Sequence, residues 1–326
     1  MAELRVMTWN VQNLFTPDHD SGPDTRGDFE TKLESLATVI DEFRPHLLGL
    51  QEVGSQEALA ALQGAPTHRM PHRALGEPDQ RGIRVAFVST RVLRDVTTIR
   101  NFPDGLLPIQ VGDDPAGPAG PPLMNQMGRS GLQVTIRANG RDVRVANCHL
   151  KSKLLTFPGG RFSTEDPDER ARVGAYALFR RASEATTLRI HANRELDGGG
   201  RTEPYVLLGD FNDEVDAATT QIVNGPPGSE IGTRGFERPD RGDGDRLWNL
   251  APLIPERERF SRIYRGRPEL IDHVFASNFL VADDRTVSVR SLVCHDDDLP
   301  SIDDTPTQHY PRPGSDHAAI AATFDF

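Results

Sequence analysis

The sequence predicts an α/β (α+β) fold in which two β-sheets pack face to face and helices cover them on the outside. Short apolar strands recur along the whole chain, and strand pairs mix with helices instead of alternating with them as in a doubly wound fold. The chain has 326 residues, of which 37% are hydrophobic, and 29 are glycine. Together these reach about 46%, within the roughly 45–50% of globular chains. With no repeat or long linker, one domain spanning residues 1–326 is expected.

The N-terminal part predicts strand, helix, strand and helix in turn. Leu4–Trp9 has the alternation of a strand, with Leu4, Val6 and Thr8 on one side. Apolar residues at helical spacing from Phe29 to Phe43 predict a helix that Pro45 ends. The apolar run Leu47–Leu50 predicts a buried strand, and Ser55 can cap a second, short helix.

The middle of the chain predicts two strand pairs. Ile83–Ser89 and Val92–Thr98 are predicted to be neighbouring strands. Leu132–Arg137 and Val143–His149 flank Asn139-Gly140, which is a strong signal for a tight hairpin turn.

The C-terminal half predicts one long helix and three further strands. Glu165–Glu195 has a mostly helical pattern, whereas Tyr205–Leu208, Leu270–Phe275 and Ala318–Phe326 resemble strands. Long segments rich in Gly, Pro and Asp predict loops, which in a compact domain are usually functional or mobile. These segments are residues 102–130, 224–248 and 295–315.

The charge balance limits the classes of partner. The chain has 37 Lys and Arg against 48 Asp and Glu, which leaves a net charge of −11. A protein that coats nucleic acid regardless of sequence needs a basic surface, so this class is excluded. Action on a polyanion then needs a local basic patch or bound metal cations.

Targeting signals and cysteine motifs are lacking. No run of about 18 apolar residues predicts a membrane span, and Met1–Met7 has no basic segment followed by an apolar core. A cytoplasmic location is expected, with secretion of a trimmed mature form as the alternative. Cys148 and Cys294 lack the paired spacing of a zinc site, so two reduced thiols are expected.

Polar residues follow apolar strands at six places. Taken singly, such a residue commonly belongs to a turn, a helix cap or a surface pair. Strand ends at one rim of packed sheets converge, however, so six such residues can share one pocket. The six segments are Thr8-Trp9-Asn10, Leu50-Gln51-Glu52, Asn147-Cys148-His149-Leu150-Lys151-Ser152-Lys153, Gly209-Asp210-Phe211-Asn212, Ile271-Asp272-His273 and Ser315-Asp316-His317.

These residue types suit metal-assisted hydrolysis. Carboxylate and amide oxygens are hard ligands for Mg²⁺ or Mn²⁺. One or two such ions are expected. Histidines with carboxylate partners suit proton transfer near neutral pH. The chain has neither a GxSxG nucleophile motif nor a GxxxxGK[ST] phosphate loop. An activated water attacking a phosphate ester is therefore expected rather than a covalent protein nucleophile.

The six segments, in this order, resemble the motifs of the endonuclease/exonuclease/phosphatase superfamily, the deoxyribonuclease I-like enzymes. The resemblance runs from residue 4 to about 324. It implies a four-layer αββα sandwich, one catalytic domain and divalent-metal-dependent phosphoester hydrolysis, with Asn10, Glu52 and Asp316 at the metal. It also implies that Asp210 and Asn212 position the attacking water and the phosphate, or hold a second metal.

The resemblance implies different surroundings for two catalytic histidines. His317 is the general base or a phosphate ligand, and Asp272 orients it. His149 is the phosphate contact or the general acid. The stretch Arg81–Arg84 offers His149 no carboxylate, where deoxyribonuclease I has a glutamate.

The substrate is not fixed by the resemblance. Lys151 and Lys153 resemble those of nuclease-like bacterial members and, with Arg129, could hold a phosphodiester backbone. A nuclease or phosphodiesterase acting on DNA, as a monomer, is favoured. The alternatives are hydrolysis of a small-molecule or lipid phosphate, and a binding module that has lost catalysis. Further arginines that could extend a basic rim are Arg161, Arg170, Arg172, Arg180 and Arg181.

Overall fold

The structure is a computed structural model that describes residues 3–113, 120–282, 285–293, 299–305 and 313–326. The strands, numbered along the chain, are β1 (Glu3–Leu14), β2 (Leu47–Val53), β3 (His72–Leu75), β4 (Arg84–Ser89), β5 (Arg94–Asn101), β6 (Ile109–Gln110), β7 (Leu123–Met124), β8 (Gln126–Ala138), β9 (Arg141–His149), β10 (Tyr205–Asp210), β11 (Leu247–Asn249), β12 (Arg262–Tyr264), β13 (Arg267–Glu269), β14 (Asp272–Ser277), β15 (Thr286–Leu292), β16 (Ser301–Ile302) and β17 (Ala319–Asp325). The helices are α1 (Arg26–Phe43), α2 (Gln56–Gly64), α3 (Pro167–Leu196), α4 (Ala218–Asn224) and α5 (Asn278–Val281).

Two six-stranded mixed sheets form the centre of the fold. The first has the order β15-β17-β1-β2-β4-β3 and the second the order β11-β14-β10-β9-β8-β5. Inside the first sheet β1 runs parallel to β2, and inside the second β9 runs parallel to β10. The carboxyl ends of each parallel pair therefore lie at one edge of their sheet. A small sheet with the order β13-β12-β16 and the pair β6-β7 lie outside these two.

Alternating side chains divide each sheet between two apolar cores. In β1, Leu4 and Val6 pack with Val145 and Leu208 of the second sheet, whereas Met7 and Trp9 face the helices α1 and α2. On the outer face of the second sheet, strand residues pack against α3 and α4. The four-layer αββα arrangement predicted from the sequence is confirmed, and none of the helices in the described ranges is long and apolar enough to cross a membrane.

Local signals set the helix boundaries as predicted. The Ser55 hydroxyl accepts a hydrogen bond from the backbone N–H of Ala58 and caps α2. Helix α1 ends at Phe43, and its C-cap residue Arg44 adopts a left-handed conformation directly before Pro45. The β8–β9 hairpin turns at Asn139 and Gly140, whose φ values are 48° and 76°. Positive φ at both positions is the conformation that the Asn-Gly pair tolerates best.

A buried polar cluster joins the sheets just below the rim where the parallel pairs end. Asn147 of β9 donates from Nδ2 to the Leu50 and Ala86 carbonyls of the first sheet, both at 3.0 Å, and its Oδ1 accepts from Gln51 Nε2 at 2.6 Å. Gly49 leaves room for this side chain, since a Cβ there would lie 3.2 Å from the Asn147 amide. The cluster thereby fixes the register of one sheet against the other.

The prediction that Val92–Thr98 neighbours Ile83–Ser89 is wrong. The chain crosses to the second sheet after β4, and β5 pairs there with β8. Most β5 side chains are exposed, as suits an edge strand. The predicted loop 102–130 contains β6, β7 and the start of β8, and the loop 224–248 ends in β11. Much of segment 295–315, and Cys294, lie outside the described residues, whereas Cys148 is a buried free thiol.

Candidate active site

A cleft of about 410 Å³ lies at the rim where the parallel strand pairs end. The register pairs Asp210 with His149 on one side and with Asp272 on the other, because β14 runs antiparallel and begins where β10 ends. Residues of both sheets, helix α3 and the small sheet line the cleft. Among them are Glu52, His149, Asp210, Asn212 and Asp316.

Strained backbone turns Glu52 into the cleft. The ladder between β1 and β2 is regular up to the pair Asn10–Gln51 and is then interrupted, although β1 itself continues to Leu14. The φ values of Gln12, Asn13 and Glu52 are 49°, 50° and 64°. Such left-handed residues cost on the order of 1–3 kcal/mol each and occur preferentially at functional sites. The Asn13 N–H donates to Glu52 Oε2 at 2.9 Å and holds the carboxylate in place.

Asn10 bridges the carboxylates of the two sheets. Its Nδ2 donates to Glu52 Oε1 at 3.2 Å and to Asp210 Oδ2 at 2.9 Å. Its Oδ1 accepts from the backbone N–H of Gln12 at 3.0 Å. The sequence predicted Asn10 at a metal, and the structure places it as a hydrogen-bond donor that fixes the distance between Glu52 and Asp210.

Asp210 is buried and held from several sides. Its Oδ1 accepts from the backbone N–H of Asn212 at 2.8 Å, and the Asn212 amide donates to the Leu150 carbonyl at 3.1 Å. Burial, followed by repulsion from Asp272, raises the pKa of Asp210 to about 7. A carboxyl group with this pKa can take up and release a proton near neutral pH.

His317 and Asp272 form a buried ion pair. His317 Nδ1 lies 2.7 Å from Asp272 Oδ2, and the Asp272 side chain is fully buried. The Trp9 indole donates to the His317 carbonyl at 2.8 Å and fixes the backbone. Burial alone would lower the pKa of His317, but the charge of Asp272 and its hydrogen bond outweigh burial and raise the pKa to about 10. The imidazole is therefore held in its charged form.

His149, unlike His317, is held in its neutral form. Its Nε2 lies 3.4 Å from Asp210 Oδ2 and 3.9 Å from Glu52 Oε1, and its buried Nδ1 has no hydrogen-bond partner within the described ranges. Burial, and next the charges of Arg129 and His317, hold the pKa of His149 well below its usual value. The two histidines of the site thus differ in charge at neutral pH.

The three predicted substrate-binding residues have different positions. Arg129 lines the cleft and is held by Asp79 at 3.0 Å, and Lys153 lines it and pairs with Asp213 at 3.2 Å. Lys151 instead donates from Nζ to the Ser152 and Leu154 carbonyls at 3.0 and 2.8 Å. Burial, then the charges of Arg180 and Arg129, lower the pKa of Lys151 to about 7. Its side chain therefore supports the loop from within.

Sequence reasoning missed Glu184 of α3 and assigned Arg181 to a basic rim, whereas both residues support the loop after His149. Glu184 Oε2 accepts from the Lys151 N–H at 2.7 Å, and Arg181 donates to the Lys151 carbonyl at 3.0 Å and to Asp213 Oδ2 at 3.1 Å. Both side chains are buried. The only sequence signal was two charged residues three positions apart among the apolar positions of the helix. His273 does not line the cleft, and its Nε2 lies 2.9 Å from the Asp213 carbonyl.

The donor set fits a hard divalent cation. Potential ligand atoms of Asp210, Asp272 and His317 lie within 4.8 Å of one another, and Asp272 Oδ1 is buried without a hydrogen-bond partner in the described part of the chain. The hydrogen bond between Asp272 and His317 competes with coordination by those two atoms. Asp210, in contrast, lines the cleft together with Glu52, Asn212 and Asp316. Oxygen donors of this kind suit Mg²⁺ or Mn²⁺.

The chain belongs to the endonuclease/exonuclease/phosphatase family, whose profile matches residues 7–317. Members of this family are phosphoester hydrolases that use divalent metals. No curated protein matches the sequence.

Solved structures similar to this one share its fold. D. rerio TDP2, complexed with single strand DNA product, matches with a TM-score of 0.55 and 15% identity, covering 100% of both chains. The human nocturnin catalytic domain with bound sulfate anion matches with a TM-score of 0.55 and 15% identity, covering 99% of this chain and 94% of that one. An endonuclease/exonuclease/phosphatase from Beutenbergia cavernae DSM 12333 matches with a TM-score of 0.53 and 21% identity, covering 100% and 72%.

Proposed function

We propose that this protein is a divalent-metal-dependent nuclease or phosphodiesterase that cleaves DNA by attack of water on phosphorus. The observation that carries the proposal is the pair of carboxylates from different sheets, Glu52 and Asp210, joined by Asn10 beside two histidines of unlike charge. Such a cluster can bind a cation, a water and a phosphate within one cleft.

Glu52 and Asp316 are the proposed metal ligands, because both line the cleft and Glu52 is held there by Asn13. Asn10 would keep Glu52 oriented while its own oxygen is engaged by Gln12. A bound Mg²⁺ or Mn²⁺ supplies charge neutralisation at a phosphate oxygen and at the leaving group. One or two ions are compatible with this set of carboxylates.

The proton roles follow from the surroundings of each group. Asp210, whose pKa is raised to about 7, can accept the proton of the attacking water, and Asn212 keeps it oriented. His317, held in its charged form by Asp272, is suited to contact the phosphate and stabilise its growing charge. Neutral His149 can donate from Nε2 to another phosphate oxygen or to the leaving group.

DNA is the favoured substrate class. Arg129 and Lys153 line the cleft and offer positive charge to a phosphodiester backbone. The fold is shared with D. rerio TDP2, whose structure contains a single strand DNA product. These observations favour a phosphodiester over a small phosphate monoester.

The test is hydrolysis of three substrates by the purified protein with Mg²⁺ or Mn²⁺: plasmid DNA, a single-stranded oligonucleotide and bis-p-nitrophenyl phosphate. Cleavage of DNA that Asp210→Asn abolishes is the expected result. Asp216→Asn is the control, since Asp216 does not line the cleft. Cleavage of the small diester without cleavage of either DNA would favour a small or lipid phosphate, and no hydrolysis at all would leave only a binding role.

A further inference from the structure

Two arginines at the cleft have guanidinium groups that form no ion pair with an acidic residue of the described ranges. Most cations that line the cleft are paired: Arg129 with Asp79, Arg181 and Lys153 with Asp213, and Arg262 with Glu269. Arg81 and Arg170 line the same cleft, and no hydrogen bond or ion pair joins their side chains to any residue in the described ranges. Both residues are exposed.

Arg81 is presented by a rigid turn. Asp79 Oδ1 accepts from the backbone N–H groups of Arg81 and Ile83 at 2.8 and 3.0 Å, and Asp79 Oδ2 holds Arg129. One carboxylate thus shapes the turn that carries Arg81 and orients Arg129. After burial, the charges of Arg129, His317 and Arg81 contribute to lowering the pKa of His149, which places Arg81 on the His149 side of the site.

Arg170 comes from the opposite layer of the sandwich, near the beginning of α3. A cation there faces the positive end of the helix dipole, which is unfavourable. Asp166, Asp168 and Glu169 precede it in the chain, yet none forms an ion pair with its guanidinium. Two residues further on, Arg172 turns away from the cleft and pairs with Asp113 at 3.0 Å.

We infer that Arg81 and Arg170 bind phosphates of the substrate other than the one that is hydrolysed, so that the site takes a nucleic-acid strand with several consecutive phosphates. An unpaired, exposed guanidinium at a cleft wall can bind a phosphate without first breaking an ion pair. The two residues approach from different layers and so contact different parts of one strand. This inference rests on the proposed nuclease function and assigns its substrate class.

The test compares Arg81→Ala, Arg170→Ala and the double variant on single-stranded oligonucleotides of one, two and five phosphodiester groups and on bis-p-nitrophenyl phosphate. Each variant is expected to raise KM for the longest strand about tenfold, because the loss of one charge-assisted hydrogen bond to a phosphate typically weakens binding by about this factor. KM for the small diester should change about threefold or less. Oligonucleotide binding is measured by fluorescence anisotropy at several salt concentrations. The slope of log affinity against log salt concentration should become less steep by about one unit for each arginine removed, which corresponds to one phosphate contact.

Arg172→Ala and Arg73→Ala are the matched controls, because neither residue lines the cleft. They should leave KM and the salt dependence unchanged. Equal losses on the small diester and the longest strand, or no loss on the strand, would overturn the assignment while leaving a nuclease. A wild-type protein that hydrolyses bis-p-nitrophenyl phosphate but neither binds nor cleaves any oligonucleotide would overturn the proposed function together with it.

Discussion

His317 Nδ1 and Asp272 Oδ2 lie 2.7 Å apart, although 45 residues separate them in the sequence. Asp272 opens β14, and His317 lies two residues before the last strand, β17, of the other sheet. The pair therefore spans the interface between the sheets. His149 Nδ1, in contrast, has no hydrogen-bond partner among the described residues, and its Nε2 lies 3.4 Å from Asp210 Oδ2. This difference gives the two histidines separable roles.

The first prediction concerns coupling between Asp272 and the two histidines. Asp272→Asn removes the charge that holds His317 protonated, so hydrolysis of a diester should fall about 10²–10⁴-fold, as should that of His317→Ala. Because these residues act as one unit, the double variant should lose little more than either single variant. Asp272→Asn combined with His149→Ala should be close to additive. The measurement is kcat on bis-p-nitrophenyl phosphate for both cycles.

If the effect of Asp272→Asn is coupled to that of His149→Ala but additive with that of His317→Ala, Asp272 orients His149 and not His317. Full activity of both histidine variants would refute the acid–base roles altogether. Circular dichroism of each variant separates a chemical defect from loss of the fold.

The second prediction is metal dependence through Glu52. EDTA should abolish hydrolysis, and Mg²⁺ or Mn²⁺ should restore it, because the donors in the cleft are hard oxygens. Glu52→Gln keeps the shape but removes the charge, so Mn²⁺ affinity measured by calorimetry should fall at least about tenfold. Glu34→Gln, on the exposed face of α1, is the control and should bind Mn²⁺ normally. Full activity in EDTA would falsify the metal site.

The third prediction separates two lysines of one loop. Lys151→Ala removes three donor contacts to oxygens of its own loop and should lower the free energy of unfolding by about 1–3 kcal/mol. Lys153→Ala should leave stability unchanged but raise KM for DNA, since Lys153 lines the cleft. Urea unfolding measures the stability of both variants, and oligonucleotide kinetics measure their KM. A Lys151→Ala variant that is as stable as the wild type but has a raised KM would show that Lys151 binds the substrate.

Sequence patterns predicted those parts of the fold and site that local chemistry controls. The cap at Ser55 and the turn at Asn139-Gly140 were recognisable because each needs only neighbouring residues. Strand-end residues such as Asp210 were found because parallel strands end at a common edge. The partner sheet of β5 was not predictable, because alternation shows which faces are buried and not which strand is adjacent.

Side-chain direction was a further limit. Lys151 and Lys153 are two residues apart in one loop, and both were assigned the same role from their positions in the sequence. The structure distinguishes them through Glu184 and Arg181, which come from a helix some 30 residues away in the sequence. Arg81 was overlooked for a related reason, since its importance depends on Asp79 shaping the turn and on no carboxylate of the described residues pairing with it.

The last prediction concerns the polar cluster under the active site. Asn147→Leu removes three buried hydrogen bonds and leaves the Leu50 and Ala86 carbonyls without this donor. An unpaired buried polar group costs about 1–3 kcal/mol, so the free energy of unfolding should fall by about 2–5 kcal/mol. Asn101→Leu, an exposed position on the edge strand β5, should change it by about 0.5 kcal/mol or less. The measurement is urea unfolding followed by fluorescence and circular dichroism together.

The same variant should also weaken catalysis. Gln51 directly precedes Glu52, and Asn147 lies two residues before His149, so a shift of this cluster moves both site residues. Each single variant, Gln51→Leu or Asn147→Leu, already removes the hydrogen bond between Gln51 Nε2 and Asn147 Oδ1. The double variant should therefore lose less stability than the sum of the two single variants. An Asn147→Leu protein as stable as the wild type would show that apolar packing alone fixes the sheets. A destabilised protein with unchanged kcat would show that the register of the sheets is set independently of this cluster.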